Sequence, residues 1–388
     1  MIRVEGEWLR DKRTLATLYM LTEAGCRVWF VGGCVRNALL GLPVADVDLA
    51  TDALPEQVMK LARGAGLKPV PTGVKFGTVT VVSGGLSHEV TTLRRDIRTD
   101  GRRAIVAYSR KIAEDARRRD LTINALYADP EGKVLDPTGK GLRDLKARRV
   151  RFIGDAGTRI REDYLRILRF FRFHAFYGSE SRGLDVDGLV ACKANAAGLA
   201  AVSAERVGAE MLKLLAAPDP SSALAAMSDC GILSRILPGA GHSRIAPLIA
   251  LEMDRAPDAI RRLAVLEGED LADRLRLSGA QAASLSALRE AAVGDAGAGE
   301  LGYRLGKRLA HDALLARAAL SGRPYSTEAE VQIATGAKAR FPVSASDLMP
   351  ELSGPALGST LRELERQWID SGFAVGREEL LASGGSSG

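Results

Sequence analysis

The stretch that decides the fold is Val28-Trp29-Phe30-Val31-Gly32-Gly33-Cys34-Val35-Arg36, followed by Asp46-Val47-Asp48-Leu49-Ala50-Thr51. The first four residues are a β-branched and aromatic run of strand composition. The paired glycines after it end the strand in a turn where backbone N–H groups can approach a phosphate, and the helix expected to follow, bearing Arg36, turns a favourable N-terminus toward an anion. In Asp46-Val47-Asp48 two carboxylates stand at i and i+2. With residues 47–50 read as a strand, both project to the same side. Magnesium prefers oxygen ligands and is commonly held by one or two carboxylates together with substrate phosphates and water. Two ions on such a pair can activate an attacking hydroxyl and stabilise a departing oxygen at phosphorus. A lone D-x-D is more often a polar turn; the glycine turn ahead of it supplies the context for a metal site at Asp46 and Asp48.

Outward from this stretch, Thr78-Val79-Thr80-Val81-Val82 and His88-Glu89-Val90-Thr91-Thr92 read as further strands and residues 56–63 as a helix. From Arg159 onward Ala, Leu and Arg recur at helical spacing with no clusters that suggest a sheet. The expected class is α+β: an α/β head over residues 1–150, then an all-helical remainder divided into 151–240 and 241–388 by Pro- and Gly-containing breaks near 216–220 and 239–241. At 388 residues, 46% hydrophobic and 26% charged, the chain suits two or more packed units. No apolar run approaches the ~20 residues that cross a bilayer, and Met1-Ile2-Arg3-Val4-Glu5 leads into no apolar leader segment, so a cytoplasmic protein without membrane contact is expected. Cys26, Cys34, Cys192 and Cys230 form no C-x-x-C pair, which argues against a zinc site or a disulfide framework. Between residues 94 and 119 ten basic side chains face four acidic ones, a surplus equal to the net charge of +6 of the whole chain.

Gly32-Gly33-Cys34-Val35-Arg36 with Asp46-Val47-Asp48-Leu49-Ala50-Thr51 resembles the first motif of the class II tRNA nucleotidyltransferase and poly(A) polymerase family. Similar blocks follow in the family's order. Arg118-Arg119-Asp120-Leu121-Thr122-Ile123-Asn124-Ala125 resembles the second, Asp136-Pro137-Thr138-Gly139 the third, and Glu162-Asp163-Tyr164-Leu165-Arg166-Ile167-Leu168-Arg169 the fourth. Ser203-Ala204-Glu205-Arg206 with Glu210 and Lys213 is similar to the weaker fifth. The resemblance implies a catalytic head, a neck that reads the base, and a helical body and tail that bind the tRNA 3′ acceptor end, with CTP and ATP as nucleotides and Mg2+ on Asp46 and Asp48. It implies nucleotide binding by Gly32, Gly33, Arg36, Arg119, Asp163, Arg166, Arg169 and Arg172, and likens residues 94–103 to a flexible loop that helps the switch from C to A addition. Where the family has Asp after the first-motif arginine, this chain has Asn37, which can hydrogen-bond Arg36 but not neutralise it.

Some of this chemistry reads directly from the residues. Asp163 and Arg166 lie three apart on an expected helix, and Glu162 faces Arg166 at i, i+4. A carboxylate only accepts hydrogen bonds and a guanidinium only donates them. Cytosine and adenine each offer an amino donor beside a ring acceptor and fit such a pair, whereas uracil and guanine present a carbonyl and a ring N–H in the same places. Arg169 extends the basic stripe and Arg172 turns further around the helix. Arg118 and Arg119 can neutralise a triphosphate, with Asp120 expected to orient one of them. Glu89 reads equally as a third carboxylate of the metal site or an ordinary strand glutamate.

Rival readings fit less well. Thr138-Gly139-Lys140 is followed by Gly141 rather than the Ser or Thr of a P-loop, and His311-Asp312, a hint of a metal phosphohydrolase, has no companion ligand nearby in sequence. A non-catalytic RNA-binding protein would have no need of both Asp46 and Asp48. A poly(A) polymerase, or an enzyme adding only CC or only A, shares the same catalytic residues; Thr72-Gly73-Val74-Lys75-Phe76-Gly77 is nearer the CCA-adding form.

Overall fold

The computed structural model describes residues 2–100, 103–322, 325–326, 328–349 and 352–384, the side chains of 96–100, 103–106 and 384 excepted. By compactness it divides into Met1–Ile236 and Leu237–Gly388.

Among the described residues of the first unit nine strands alternate with helices: β1 Val28–Val31, β2 Leu49–Thr51, β3 Lys68–Gly73, β4 Thr78–Ser83, β5 Leu86–Thr92, β6 Arg94–Asp100, β7 Arg103–Tyr108, β8 Tyr127–Ala128 and β9 Val134–Leu135. Seven form one mixed sheet in the order β3-β4-β5-β2-β1-β8-β9, and β6 and β7 pair with each other. The pair β2–β5 is parallel, Leu49 against Val90, while the other neighbouring strands of the sheet run antiparallel. Val79 and Val81 of β4 and His88 and Val90 of β5 point into a buried face, with Thr80 and Glu89 on the opposite one. Helix Lys12–Thr22, with Thr14, Thr17, Leu18 and Leu21 on one stripe, and helix Pro55–Gly64, with Val58 and Ala62, cover that buried face. His88 belongs to this core, its ring Nε2 3.0 Å from Thr14 Oγ1. The opposite face is packed around Val31 and Ala50 by Leu93, Ala116 and Tyr127 but stays open at Asp48, Thr80 and Glu89, and the site lies there.

The segment expected as a strand at 47–50 begins its pairing later. Phe30 pairs with Leu49, and Val31 N–H donates to Asp48 O at 3.0 Å; beyond that β1 has turned away at Gly32 and offers no partner. The stretch likened to a loop at 94–103 is mostly strand, β6 paired with β7, and residues 101–102 lie outside the described residues.

After residue 155 the first unit is helical. Helix Leu165–Tyr177 buries Ile167, Leu168, Phe170 and Phe171 and keeps Arg166, Arg169 and Arg172 on another side. In the second unit the long helix Ala298–Ser321 breaks at Gly306 (φ 74°, ψ 168°), and Gly302 and Gly336 let it meet helix Glu328–Lys338 backbone to backbone, where any Cβ would collide. Glu252, wholly inside, accepts from Arg261 at 2.8 Å and Arg262 at 2.6 Å, and Arg261 reaches Asp312 at 2.7 Å. His311 Nδ1 lies 2.8 Å from Tyr325 Oη. His311 and Asp312 are therefore internal structural partners. Trp368, on helix Gly354–Asp370, packs with Tyr303, Phe341 and Phe373, and a final helix, Arg377–Gly384, runs into the Ser/Gly-rich end. All four cysteines are free. No described helix is long and apolar enough to cross a membrane.

Candidate active site

The chain leaves β1 through Gly32 at φ 74°, ψ −117°, a conformation closed to residues with a Cβ, and enters helix Gly33–Leu39. The extended lead-in to β2 alternates: Asp46 exposed, Val47 buried, Asp48 half-buried, Leu49 buried. Both carboxylates thus share the open face. The parallel register of β2 with β5 sets Glu89 on that face beside Asp48. Burial, then the charge of Glu89, push the Asp48 carboxyl up to about 6, with Arg119 opposing and Asp46 adding to the rise. Carboxylates crowded in this way suit a hard divalent cation. No three His, Cys, Asp or Glu side chains among the described residues form a metal cage by themselves, so a cation on Asp46 and Asp48 would complete its shell with water and nucleotide phosphates, as Mg2+ commonly does.

Arg119 borders these acids. Its Nη1 is the nearest atom to the place where a Cβ on Gly32 would stand, at 3.5 Å, and its Nε donates to Asp115 Oδ2 at 3.2 Å and Tyr127 Oη at 3.1 Å. The carboxylate that holds Arg118 and Arg119 is therefore Asp115, three and four residues earlier on helix Ile112–Arg118, and not Asp120. Asp120 is already engaged: it accepts from Arg169 Nε at 2.6 Å and from its neighbour Leu121 N–H at 2.8 Å. Despite burial, Arg169 beside it holds its carboxyl far below the ordinary range.

Arg36 lies inside the protein, donating to Asn124 Oδ1 at 2.5 Å, Asn37 Oδ1 at 2.9 Å and Tyr177 Oη at 2.7 Å, with the Tyr177 ring 4.0 Å from its guanidinium carbon. Burial pulls its pKa down. Asn37 passes the contact on, its Nδ2 donating to Pro43 O at 2.9 Å, which a carboxylate could not do. The hydrogen-bond acceptors around Arg36 are neutral side chains, and the nearby negative charge is Asp120.

The fourth block folds differently from one continuous helix. Helix Ala156–Glu162 ends at Asp163, which is extended (φ −158°, ψ 105°) and accepts from Leu165 N–H at 3.2 Å, at the start of the next helix. This break takes Asp163 out of register with Arg166. Asp163 instead accepts from Arg206 at 3.2 and 2.7 Å, while Arg166 Nη1 pairs with Glu162 and donates to Arg159 O at 2.8 Å. The Arg166 N–H donates to Asp163 O at 3.0 Å, but their side chains take these separate partners. Arg169 and Arg172 flank Phe173, their guanidinium carbons 5.2 and 4.6 Å from its ring centre, and Arg172 pairs with buried Glu210 at 2.9 Å. Arg36 is joined to Arg169 through Asn124 and Asp120, Arg119 stands beside Gly32, and Asp48 lies beside Glu89. The i, i+3 and i, i+4 spacing of Asp115 to Arg118 and Arg119 was a usable signal for that residue; the aromatic partners Tyr127 and Tyr177, distant in sequence from what they hold, left none.

Residues 28–151 match the family model described as poly A polymerase head domain, and residues 185–242 the one described as probable RNA and SrmB-binding site of polymerase A. The chain is 36% identical to a CCA-adding enzyme of Geobacillus thermodenitrificans over 82% of its own length and 80% of that protein's. It is 32% identical to the mitochondrial CCA tRNA nucleotidyltransferase 1 of Danio rerio, over 95% and 89%. The crystal structure of the Bacillus stearothermophilus CCA-adding enzyme in complex with CTP superposes with a TM-score of 0.74 at 27% identity, covering 96% of both chains. These likenesses run through the head and on into the helical part, and the chain accordingly belongs to the CCA-adding tRNA nucleotidyltransferases.

Proposed function

We propose that this chain adds C, C and A to the 3′ end of tRNA from CTP and ATP without a template, the RNA 3′-hydroxyl attacking the nucleotide α-phosphate and pyrophosphate leaving. The observation that carries this is the open-face arrangement of Asp46 and Asp48 beside Glu89, with Arg119 Nη1 over the Gly32 turn. Asp46 and Asp48 would hold Mg2+, which when bound activates the hydroxyl and stabilises charge at phosphorus. Gly32 and Gly33 let the backbone approach the phosphates, and Arg36 and Arg119 neutralise them.

Asp163 and Arg166 read the base edge from separate supports. Asp163 Oδ1 accepts from both Arg206 and Leu165 N–H, whereas Oδ2 accepts from Arg206 and keeps a second lone pair; the two side-chain bonds of Arg166 both use Nη1, leaving its other donors to face a base. Arg169 and Arg172, with Phe173 between them, continue that wall. The divisions at 1–150, 151–240 and 241–388 would serve as head, base-reading neck, and body and tail on the tRNA. Contacts of the last segment to RNA phosphates make binding salt-sensitive. This reading places the work in the cytoplasm, beside the tRNA and nucleotide pools it draws on.

Asp48→Ala tests the site. Folded protein with this change is expected to lose Mg2+-dependent incorporation of labelled CTP and ATP into truncated tRNA; near-normal incorporation would remove Asp48 from the mechanism.

A further inference from the structure

Asp115 lies wholly within the head, 0% exposed, and its two oxygens collect four donors. Arg118 Nε reaches Oδ1 at 2.7 Å, and Arg94 N–H, at the first residue of β6, points at the same oxygen from 3.4 Å. Arg119 Nε at 3.2 Å and Tyr127 Oη at 2.6 Å share Oδ2. Arg119 Nη2 is also 3.2 Å from Oδ2. One edge of the Arg119 guanidinium is thus committed to Asp115, and the remaining nitrogen, Nη1, is the one beside the Gly32 turn. The Tyr127 ring, 5.3 Å from the guanidinium carbon, limits rotation about that edge.

Any buried carboxylate needs its lone pairs satisfied by several donors, so what singles out Asp115 is which donors it holds. Asp115 serves two consecutive arginines, of which Arg119 faces the acids of the site, and reaches the strand that opens the β6–β7 hairpin. An arginine that meets a transferring phosphate contributes only when held in place beforehand, since a displacement of about 1 Å can cost on the order of 100-fold in rate.

We propose that Asp115 is a positioning residue for nucleotide transfer: it fixes the Nε and Nη2 edge of Arg119 so that Nη1 stands over the glycine turn, and it ties that arginine to the start of the hairpin. This rests on Arg119 binding nucleotide phosphates, the reading given above. Asp115 touches no nucleotide itself. Its effect on the transfer step passes through Arg119.

The test is a double-mutant cycle on kcat/KM for CTP and ATP with truncated tRNA, using Asp115→Asn, Arg119→Ala and the two combined. Asparagine has one acceptor oxygen where aspartate has two, so an arginine loses its partner while side-chain volume is kept. Asp115→Asn is expected to lower kcat/KM by about 10- to 100-fold and to add less than about 3-fold once Arg119 is alanine, as contacting residues couple. Losses that multiply in the double variant, or an Asp115→Asn protein as active as wild type beside an impaired Arg119→Ala, overturn the proposal and leave the function standing. A fully active Arg119→Ala overturns the phosphate-binding reading together with the proposal. Should thermal melting show Asp115→Asn to be unfolded, Tyr127→Phe replaces it in the cycle: removing one hydroxyl is expected to cost about 3-fold in the wild-type background and nothing with Arg119→Ala. An equal loss in both backgrounds, or none in either, overturns the proposal.

Discussion

Asp48 and Glu89 stand side by side on the open face of the sheet because β2 and β5 run parallel in register, Leu49 against Val90. Asp48 is half-buried there, and burial and the Glu89 charge together raise its carboxyl to about 6. A cation bound beside them would relieve both costs.

Stability should report this directly. In chelator, Asp48 binds its proton more tightly folded, near pH 6, than unfolded, near pH ~3.9; the protein therefore loses stability as pH rises from about 4 to 6 and stays at the lower level above it. Asp48→Asn removes that cost. At pH 7.5 without divalent cations it should melt a few degrees higher than wild type, for a gain of about 1–2 kcal/mol allowing for partial exposure. Mg2+ should then raise the wild-type midpoint and leave that of the variant nearly unchanged. A variant less stable than wild type in chelator would contradict the electrostatic account.

Base selection should weaken when Asp163 is removed. Asp163→Ala is expected to use CTP and ATP less well and to discriminate less against UTP and GTP, whose carbonyls no longer meet a carboxylate. Arg206 holds Asp163 in this structure, so Arg206→Ala should shift selectivity in the same direction by a smaller factor. Competition assays with all four nucleotides measure both; unchanged selectivity in an active Asp163→Ala enzyme would reduce the residue to a helix-capping role.

Asp120→Ala should destabilise the head, because it strands Arg169, 30% exposed, with only the more distant Glu210 at 3.9 Å. The expected loss is about 2–3 kcal/mol in urea unfolding at pH 7, toward the low end for breaking a buried pair. Its folded pKa is depressed, so its contribution is complete above the ordinary carboxylate range and is lost as pH falls below it. The gap between wild type and variant should close in acid.

In the second unit, Glu252→Ala leaves Arg261 and Arg262, both almost fully buried, without the carboxylate they share. A cost of about 3–5 kcal/mol is expected from removing one partner of a buried ion-pair network, read as an early unfolding transition. A shift under about 1 kcal/mol would mean the network is readily rearranged.

The sequence made the site legible where chemistry is local. The glycine turn, the same-side carboxylates at 46 and 48, and the later change to helical spacing follow from short-range patterns, and all appear as read. What stayed hidden depends on tertiary register. Glu89 reads equally as a site carboxylate or an ordinary strand glutamate until the parallel pairing sets it beside Asp48. Asp163 is three residues from Arg166, yet one extended residue at the helix break hands it to Arg206. Asp120 sits next to Arg119 in sequence but faces Arg169, because successive residues after a helix point in different directions.

The central claim is tested most directly by the product. Transfer RNA lacking its terminal trinucleotide is incubated with the protein and CTP, ATP or both, and the 3′ ends are sequenced. Addition of C and C with CTP alone, and of C, C and A with the mixture followed by a stop, is the predicted result; the stop follows if the completed end no longer brings its 3′-hydroxyl within reach of the bound nucleotide. Long A tails on unstructured RNA, with no C added to truncated tRNA, would contradict it.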